Sequence, residues 1–213
     1  YKYRLEEEKR PGEYWPVEED DRGTYIFNSK DLCMLGHIAE LARSGVCSLK
    51  IEGRMKSIFY IAHVVKAYRQ AIDAYCADPD GYTFDESWFT EMCKASHREF
   101  TTGFYFRKPT GEDQNYLTSA YTREYSFVGL VKSYDEAKKT ATVEQRNKMT
   151  VGDTIEVFGP EGDFFTQTLD DMTDEEGNPL ESAPHPQQIL KIKMQKPVKE
   201  QFMLRKEQSA NDL

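Results

Sequence analysis

In the stretch SLKIEGRMKS, Ser48 to Ser57, four charged residues stand at every second position: Lys50, Glu52, Arg54 and Lys56. Side chains on a strand alternate between its faces, so a strand over Val46–Glu52 sets Cys47, Leu49 and Ile51 against Ser48, Lys50 and Glu52. Helices would cover the apolar side. Lys50 and Glu52 then face a barrel interior or a cleft over a sheet, where charge is tolerated when paired or used. Gly53 allows a sharp exit and leaves Arg54 and Lys56 at the strand's carboxyl end, where parallel α/β folds keep their ligands. An arginine there binds a carboxylate or phosphate in bidentate fashion, while Glu52 either holds Lys50 or moves a proton. A closed Lys50–Glu52 pair with Arg54 and Lys56 in solvent fits the same spacing, and spacing alone leaves both readings open.

Cys33 carries the second candidate chemistry. After a strand at Thr24–Asn28, apolar periodicity predicts a helix from Lys30 to about Arg43, with Ser29 as N-cap and Asp31 in the first turn. Cys33 would lie in that first turn, about 100° round from Leu32 and off the apolar stripe of Leu32, Leu35, Ile38, Ala39 and Ala42. A helix N-terminus favours the thiolate, the form that attacks or binds metal, and His37 four residues on could be a second ligand. The plainer reading is a half-buried small residue. Cys47, Cys76 and Cys93 fall on inward faces and are read as core.

A third candidate lies near the C-terminus, where Leu190, Ile192 and Met194 alternate with Lys191 and Lys193. Lysines facing out from an edge strand guard against strand-to-strand aggregation, or they contact RNA phosphates. In the second case the acidic loop Asp170–Glu176 would face away from the nucleic acid or select how it enters. The sequence holds no HExxH, GxSxG, GxGxxG or Walker-type loop, so zinc proteolysis, serine hydrolysis and nucleotide binding lack support. His63 and His97 lie within expected helices without a partner at ligand spacing and are read as structural.

These candidates need elements to position them. An early hairpin is expected across YKYRLEEE and PVEEDDRGTYIFNS. Ile58, Ile61, Ala62, Val65, Tyr68, Ile72 and Cys76 mark one face of a long helix that ends near Asp78-Pro79-Asp80-Gly81, and a further helix runs from Asp85 to about His97. Strand, helix, strand, helix with short links implies parallel pairing. After an aromatic, Gly- and Thr-rich linker region over Thr101–Arg123, short strands follow at Phe127–Lys132, Thr140–Glu144, Thr154–Phe158, Phe164–Leu169, Ile189–Met194 and Gln201–Lys206. They predict a small antiparallel β-barrel.

With 213 residues the chain has room for two small domains, and a 38% apolar share supports packed cores. The net charge of −9 argues against broad nonspecific nucleic-acid binding, DNA included, yet hides a division. Gly162–Ser182 holds seven acidic residues and no Lys or Arg, whereas Ile189–Lys206 holds six basic residues against Glu200. Four cysteines without a CxxC pair suggest neither a disulfide framework nor a zinc ribbon. The charged start resembles no signal peptide and no apolar run reaches membrane length, so a cytoplasmic protein without a membrane partner is expected.

Taken in order, RPGEY, TYIFNSKDLC, SLKIEGRMKS, AYRQAID and TTGFYF resemble the collagenase-like peptidase family of unknown catalytic type, the thirty-second family of that class. The likeness is to its branch of tRNA hydroxylation proteins, which help make 5-hydroxyuridine at the wobble position, and covers only the later part of the family's usual length. It implies the last units of a TIM-barrel-like domain over residues 1–109, a linker over 110–123, a small translation-factor-like β-barrel over 124–207 and a tail over 208–213. In several relatives four cysteines hold an iron–sulfur cluster, and the last of them matches Cys33. The other three precede RPGEY, so a fragment would not complete the cluster. The resemblance carries over Cys33 and the set Lys50, Glu52, Arg54 and Lys56, without agreed catalytic roles. It implies an enzyme acting on tRNA in the full-length protein and inactivity of this chain alone. A peptidase acting on a protein or peptide, and a noncatalytic binding fragment, stand as alternatives.

Overall fold

The structure, a computed structural model, describes residues 3–21, 23–25, 29–110, 113, 124–162 and 164–208. The chain divides into two compact units: Tyr1–Lys50 with Ala67–Thr122, and Ile51–Lys66 with Arg123–Leu213.

The first unit opens on a three-stranded antiparallel meander, β1 (Tyr3–Glu6), β2 (Tyr14–Asp20) and β3 (Gly23–Tyr25), where the early hairpin was expected. The rest of the expected Thr24–Asn28 strand lies outside the described residues. Next comes β4 (Asp31–Leu32), which pairs in parallel with β5 (Phe100–Thr101). The expected helix from Lys30 therefore starts later, as a 3-10 turn over Leu35–His37 that runs into α1 (Ile38–Arg43). Asp31 and Leu32 are drawn into the parallel ladder instead, because the Asp31 amide bonds the Glu99 carbonyl at 2.8 Å and the Cys33 amide bonds the Thr101 carbonyl at 2.9 Å. Leu35, Ile38 and Ala39 bury the helical stripe, while Leu32 is exposed.

The expected Val46–Glu52 strand joins no ladder among the described residues, and its alternating apolar residues Leu49 and Ile51 are exposed. A strand forms only where a neighbour takes its backbone hydrogen bonds, so an alternating pattern that finds none stays outside any ladder. Cys47 and Cys76 are exposed and Cys93 is half-buried, which corrects their reading as core. Helix α3 (Glu86–Cys93) is shorter than expected, with Asp85 capping it by accepting the Ser87 amide at 2.8 Å.

Helix α2 (Ile58–Ala77) has the expected length, but its buried face is turned. Phe59, His63, Val64, Ala67 and Ala71 are buried, whereas Ile58 and Val65 are exposed. Four-residue spacing of Phe59, His63, Ala67 and Ala71 sets this face.

In the second unit seven antiparallel strands curl into a half-barrel in the order β10-β9-β14-β6-β7-β13-β11. They are β6 (Tyr125–Asp135), β7 (Thr140–Gln145), β9 (Thr154–Phe158), β10 (Phe165–Thr168), β11 (Met172–Thr173), β13 (Ile189–Lys193) and β14 (Met203–Glu207), with β8 (Met149–Thr150) pairing β12 (Ser182–Ala183) at the side. Alternation sends Val131, Val143, Ile155, Val157, Leu190, Ile192 and Leu204 into one core, which Val128 joins where a register shift interrupts β6. Gly129 lets β6 and β7 approach, since a Cβ there would stand 2.6 Å from Val143 Cγ1. The sheet's open side is bridged by a side chain: the buried Gln167 on β10 donates to the Lys193 carbonyl (2.9 Å) and accepts the Gln195 amide (3.0 Å). Its amide thus stands in for one rung of a ladder.

The outer face of this sheet is covered by the first turns of α2. Phe59 stacks on Phe127 at 5.2 Å and meets Phe158 edge-on, while Lys66 Nζ donates to the carbonyls of Gly159 (3.1 Å) and Gly162 (2.8 Å). These two carbonyls flank the turn between β9 and β10, so the lysine fastens helix to turn.

Candidate functional site

Cys33 stands where the short parallel pair ends. Both β4 and β5 run toward it, and the tie from its amide to Thr101 holds it at their carboxyl end. Ligand sites of parallel α/β folds collect at this end. The Tyr68 hydroxyl accepts the Met34 amide at 2.8 Å and donates to Cys33 Sγ at 3.9 Å. Partial burial pushes the Cys33 thiol above its ordinary pKa, against the smaller opposing effects of the Leu35 amide and the Tyr68 hydroxyl. This corrects the expected thiolate: the helix begins two residues after Cys33, so the thiol lacks the first-turn position that would have favoured ionisation.

His37 does not serve Cys33 as a second ligand here. Its Nδ1 meets Glu40 Oε1 at 3.2 Å and its ring lies 4.6 Å from that of Phe106. Among the described residues no three His, Cys, Asp or Glu side chains are grouped so as to hold a metal ion. Cys33 is thus one thiol beside a tyrosine, not a completed centre.

Beyond Thr101 the chain turns at Gly103, whose φ is +58° and whose missing Cβ would touch Leu32 Cδ1 at 3.1 Å. A buried carboxylate, Asp113, fixes this turn. It accepts both terminal nitrogens of Arg107 (2.7 Å each), the Thr110 amide (2.7 Å) and the Thr101 hydroxyl (3.3 Å). The Arg107 guanidinium, followed by the Thr110 amide, pulls the Asp113 carboxyl down to about 2. Composition marks this stretch as linker, and a six-residue separation carries no signal that Arg107 pairs with Asp113.

The charged stretch from Lys50 to Lys56 lies across the boundary between the two compact units. Lys50, Glu52 and Arg54 are exposed. Glu52 Oε1 accepts the Arg54 amide at 2.9 Å, the Lys56 amide bonds the Gly53 carbonyl at 2.9 Å, and Lys56 Nζ stands 4.7 Å from the Tyr60 ring centre. Glu52 therefore caps the tight turn after Gly53, so the inward face expected for Lys50 and Glu52 is not formed.

In the half-barrel, β13 is not an edge strand: β7 and β11 flank it. Lys191 donates through Nζ to the Glu175 carbonyl, so the acidic loop folds back on this lysine rather than away from it. Lys193 is exposed.

A polar cluster that sequence reading missed lies under α2. The fully buried Arg205 on β14 binds Glu156 Oε2 through Nε (2.7 Å) and Nη2 (2.6 Å), and its Nη1 donates to His63 Nε2 at 2.6 Å. With Nε2 accepting, the His63 proton sits on Nδ1 and goes to the Phe59 carbonyl at 2.8 Å. The cross-strand register of Arg205 and Glu156 is the signal, and a bulge beside Arg205 turns it toward the helix. The cluster is closed and cross-links the unit, so it is read as structural.

Two family models divide the chain between them. A family model described as peptidase family U32 matches residues 1–115, and one described as the peptidase family U32 C-terminal domain matches residues 123–205. The tRNA hydroxylation protein P1 of Bacillus subtilis is 43% identical over 88% of this chain and 44% of its own length, and the tRNA hydroxylation protein P of Escherichia coli 39% over 85% and 39%. A Porphyromonas gingivalis collagenase is 30% identical over 73% of this chain and 44% of its own. The crystallised C-terminal domain of a Geobacillus thermoleovorans U32 peptidase is 47% identical, covering 38% of this chain and 99% of its own, with a TM-score of 0.37. The chain spans less than half the length of these curated relatives.

Proposed function

The chain belongs to peptidase family U32, and from that premise we propose that it is the C-terminal part of a tRNA-modifying protein serving 5-hydroxyuridine formation at the wobble position. The observation that carries this reading is the order of likeness: relatives at 43% and 39% identity bear the name tRNA hydroxylation protein, whereas a collagenase stands at 30%. The site chemistry agrees. Nucleophilic attack by Cys33 would need a base beside it, and His37, the histidine nearest it in sequence, pairs with Glu40 instead.

In this reading tRNA is the substrate, the cytoplasm its place, and β4 with β5 belong to a TIM-barrel-like domain that the longer protein completes. The β unit contacts RNA or a partner, with Lys193 and Lys191 among its cations. An iron–sulfur cluster would take Cys33 as one ligand. The described residues do not complete that set, so the other ligands would come from sequence outside this chain and no step is derived through the cluster.

Deleting the gene and analysing tRNA nucleosides by mass spectrometry tests the reading. The 5-hydroxyuridine derivatives should fall and return with the wild-type gene; unchanged levels overturn it. Full-length protein purified without oxygen should contain iron and sulfide, both lowered by Cys33→Ala; equal content in the variant removes Cys33 from the site. Peptide cleavage that Glu52→Gln abolishes would favour the peptidase instead.

A further inference from the structure

The turn after β5 presents three aromatic side chains to solvent: Phe104, Tyr105 and Phe106 are 70%, 48% and 58% exposed. Apolar side chains this open at the tip of a loop call for an occupant. The Phe104 and Tyr105 rings lie 5.1 Å apart and nearly parallel, at 13°, while Phe106 leans on His37. They sit at the carboxyl end of the parallel pair, in the same unit as Cys33 and joined to it through Thr101.

The tip is ordered in advance. Asp113 clamps its base through Arg107, Thr110 and Thr101, the Thr101 hydroxyl accepts the Gly103 amide (3.1 Å), and the Tyr105 amide closes the turn on the Thr102 carbonyl (3.3 Å). A ligand landing there meets rings whose ordering cost is already met. Cations stand close by, each with an acid near it: Arg98–Lys108 holds three, and its one carboxylate, Glu99, pairs with Lys30 at 2.9 Å. Asp113 pairs with Arg107 at 2.7 Å, and the exposed Lys108 pairs with the exposed Glu13 at 3.6 Å, contacts that water screens and a phosphate can replace at Lys108. Flat π faces beside cations are the pairing with which proteins hold unpaired nucleotides, a base on the ring and a phosphate on the cation.

We infer that Phe104 and Tyr105 form a stacking platform for an unpaired nucleobase of an RNA substrate, at the same carboxyl end of the β4–β5 pair as Cys33. This rests on the tRNA reading and adds to it the place where a base is held. A protein segment covering the tip is the competing occupant, and the two differ in what they require. Stacking needs an aromatic face, whereas apolar cover is satisfied by leucine.

The full-length protein should therefore be titrated with a tRNA transcript in three forms: wild type, Phe104→Leu with Tyr105→Leu, and Phe104→Trp. Loss of base stacking should weaken binding by roughly fivefold to a hundredfold in the double leucine variant. Its salt dependence should be unchanged, because the phosphate contacts remain. Phe104→Trp should bind as wild type does, with indole emission quenched along the same titration. Wild-type affinity in the leucine variant, or an introduced indole that stays unquenched on bound RNA, overturns the platform and points to protein cover. If wild type binds tRNA and deletion lowers 5-hydroxyuridine while the leucine variant is unaffected, the platform alone fails. If wild type binds no tRNA, both readings fall.

Discussion

Arg205 is the side chain on which the outer face of the half-barrel turns. Removing a guanidinium from water costs several kcal/mol, and only a close carboxylate with further hydrogen bonds offsets it. Glu156 supplies two contacts, His63 a third, and the rings of Phe158, Phe164 and Tyr125 stand 4.8–5.3 Å from the guanidinium carbon. Glu156→Ala leaves that charge buried and uncompensated, so it should destabilise the protein by about 3–5 kcal/mol in denaturant unfolding. A loss under about 1 kcal/mol would mean that Arg205 reaches water or another acid. In the sequence Arg205 is one more cation in a basic run. Alternation shows that it opposes Leu204, but not that a helix from far upstream covers that face. Cys33 was legible in another way: its residue type and place after a strand stood out, while the burial that raises its pKa depends on packing that the sequence does not display.

At the level of elements, the turn from Thr101 to Asp113 depends on one ionised carboxylate. The Asp113 carboxyl is lowered from an ordinary 3.8 to about 2, so its stabilising contribution is complete above about pH 4 and lost as pH falls through 2. Protection of the Gly103, Tyr105 and Thr110 amides against hydrogen exchange should fall across that window. Asp113→Asn should lack it already at pH 5; equal protection in the two proteins would show that the turn is held otherwise. The strands of the second unit were readable because each finds its partner within the chain and buries alternate residues, as Thr154–Phe158 does between β10 and β14. Two-residue strands such as β8, β11 and β12 carry too little pattern to read. Val46–Glu52 shows the converse, a clear alternation that finds no partner strand among the described residues. In α2 the length was legible but the buried face was not, since apolar residues occupy more than one side and the outer sheet chooses Phe59 and His63.

For the molecule as a whole, the half-barrel is closed by Gln167 rather than by backbone. Gln167→Ala leaves the Lys193 carbonyl and the Gln195 amide without that amide and loosens β10, the end strand of the sheet, from the end of β13. Unpaired edges recruit strands from other chains. Light scattering should show concentration-dependent assembly of the variant where wild type scatters constantly; identical curves would show that the seam tolerates loss of the bridge. A second global feature is that Ile51–Lys66 belongs to the unit of Arg123–Leu213, although more than fifty residues of the other unit intervene. His63 therefore meets Arg205 across 142 positions of sequence. On a translating ribosome adding about 5–20 residues per second, the helix face that holds His63 waits roughly 7–30 s for Arg205 to be made. Chaperones and aggregation compete for it in that interval, so the yield of this protein in a cell is governed by the tempo of its synthesis as well as by its final stability.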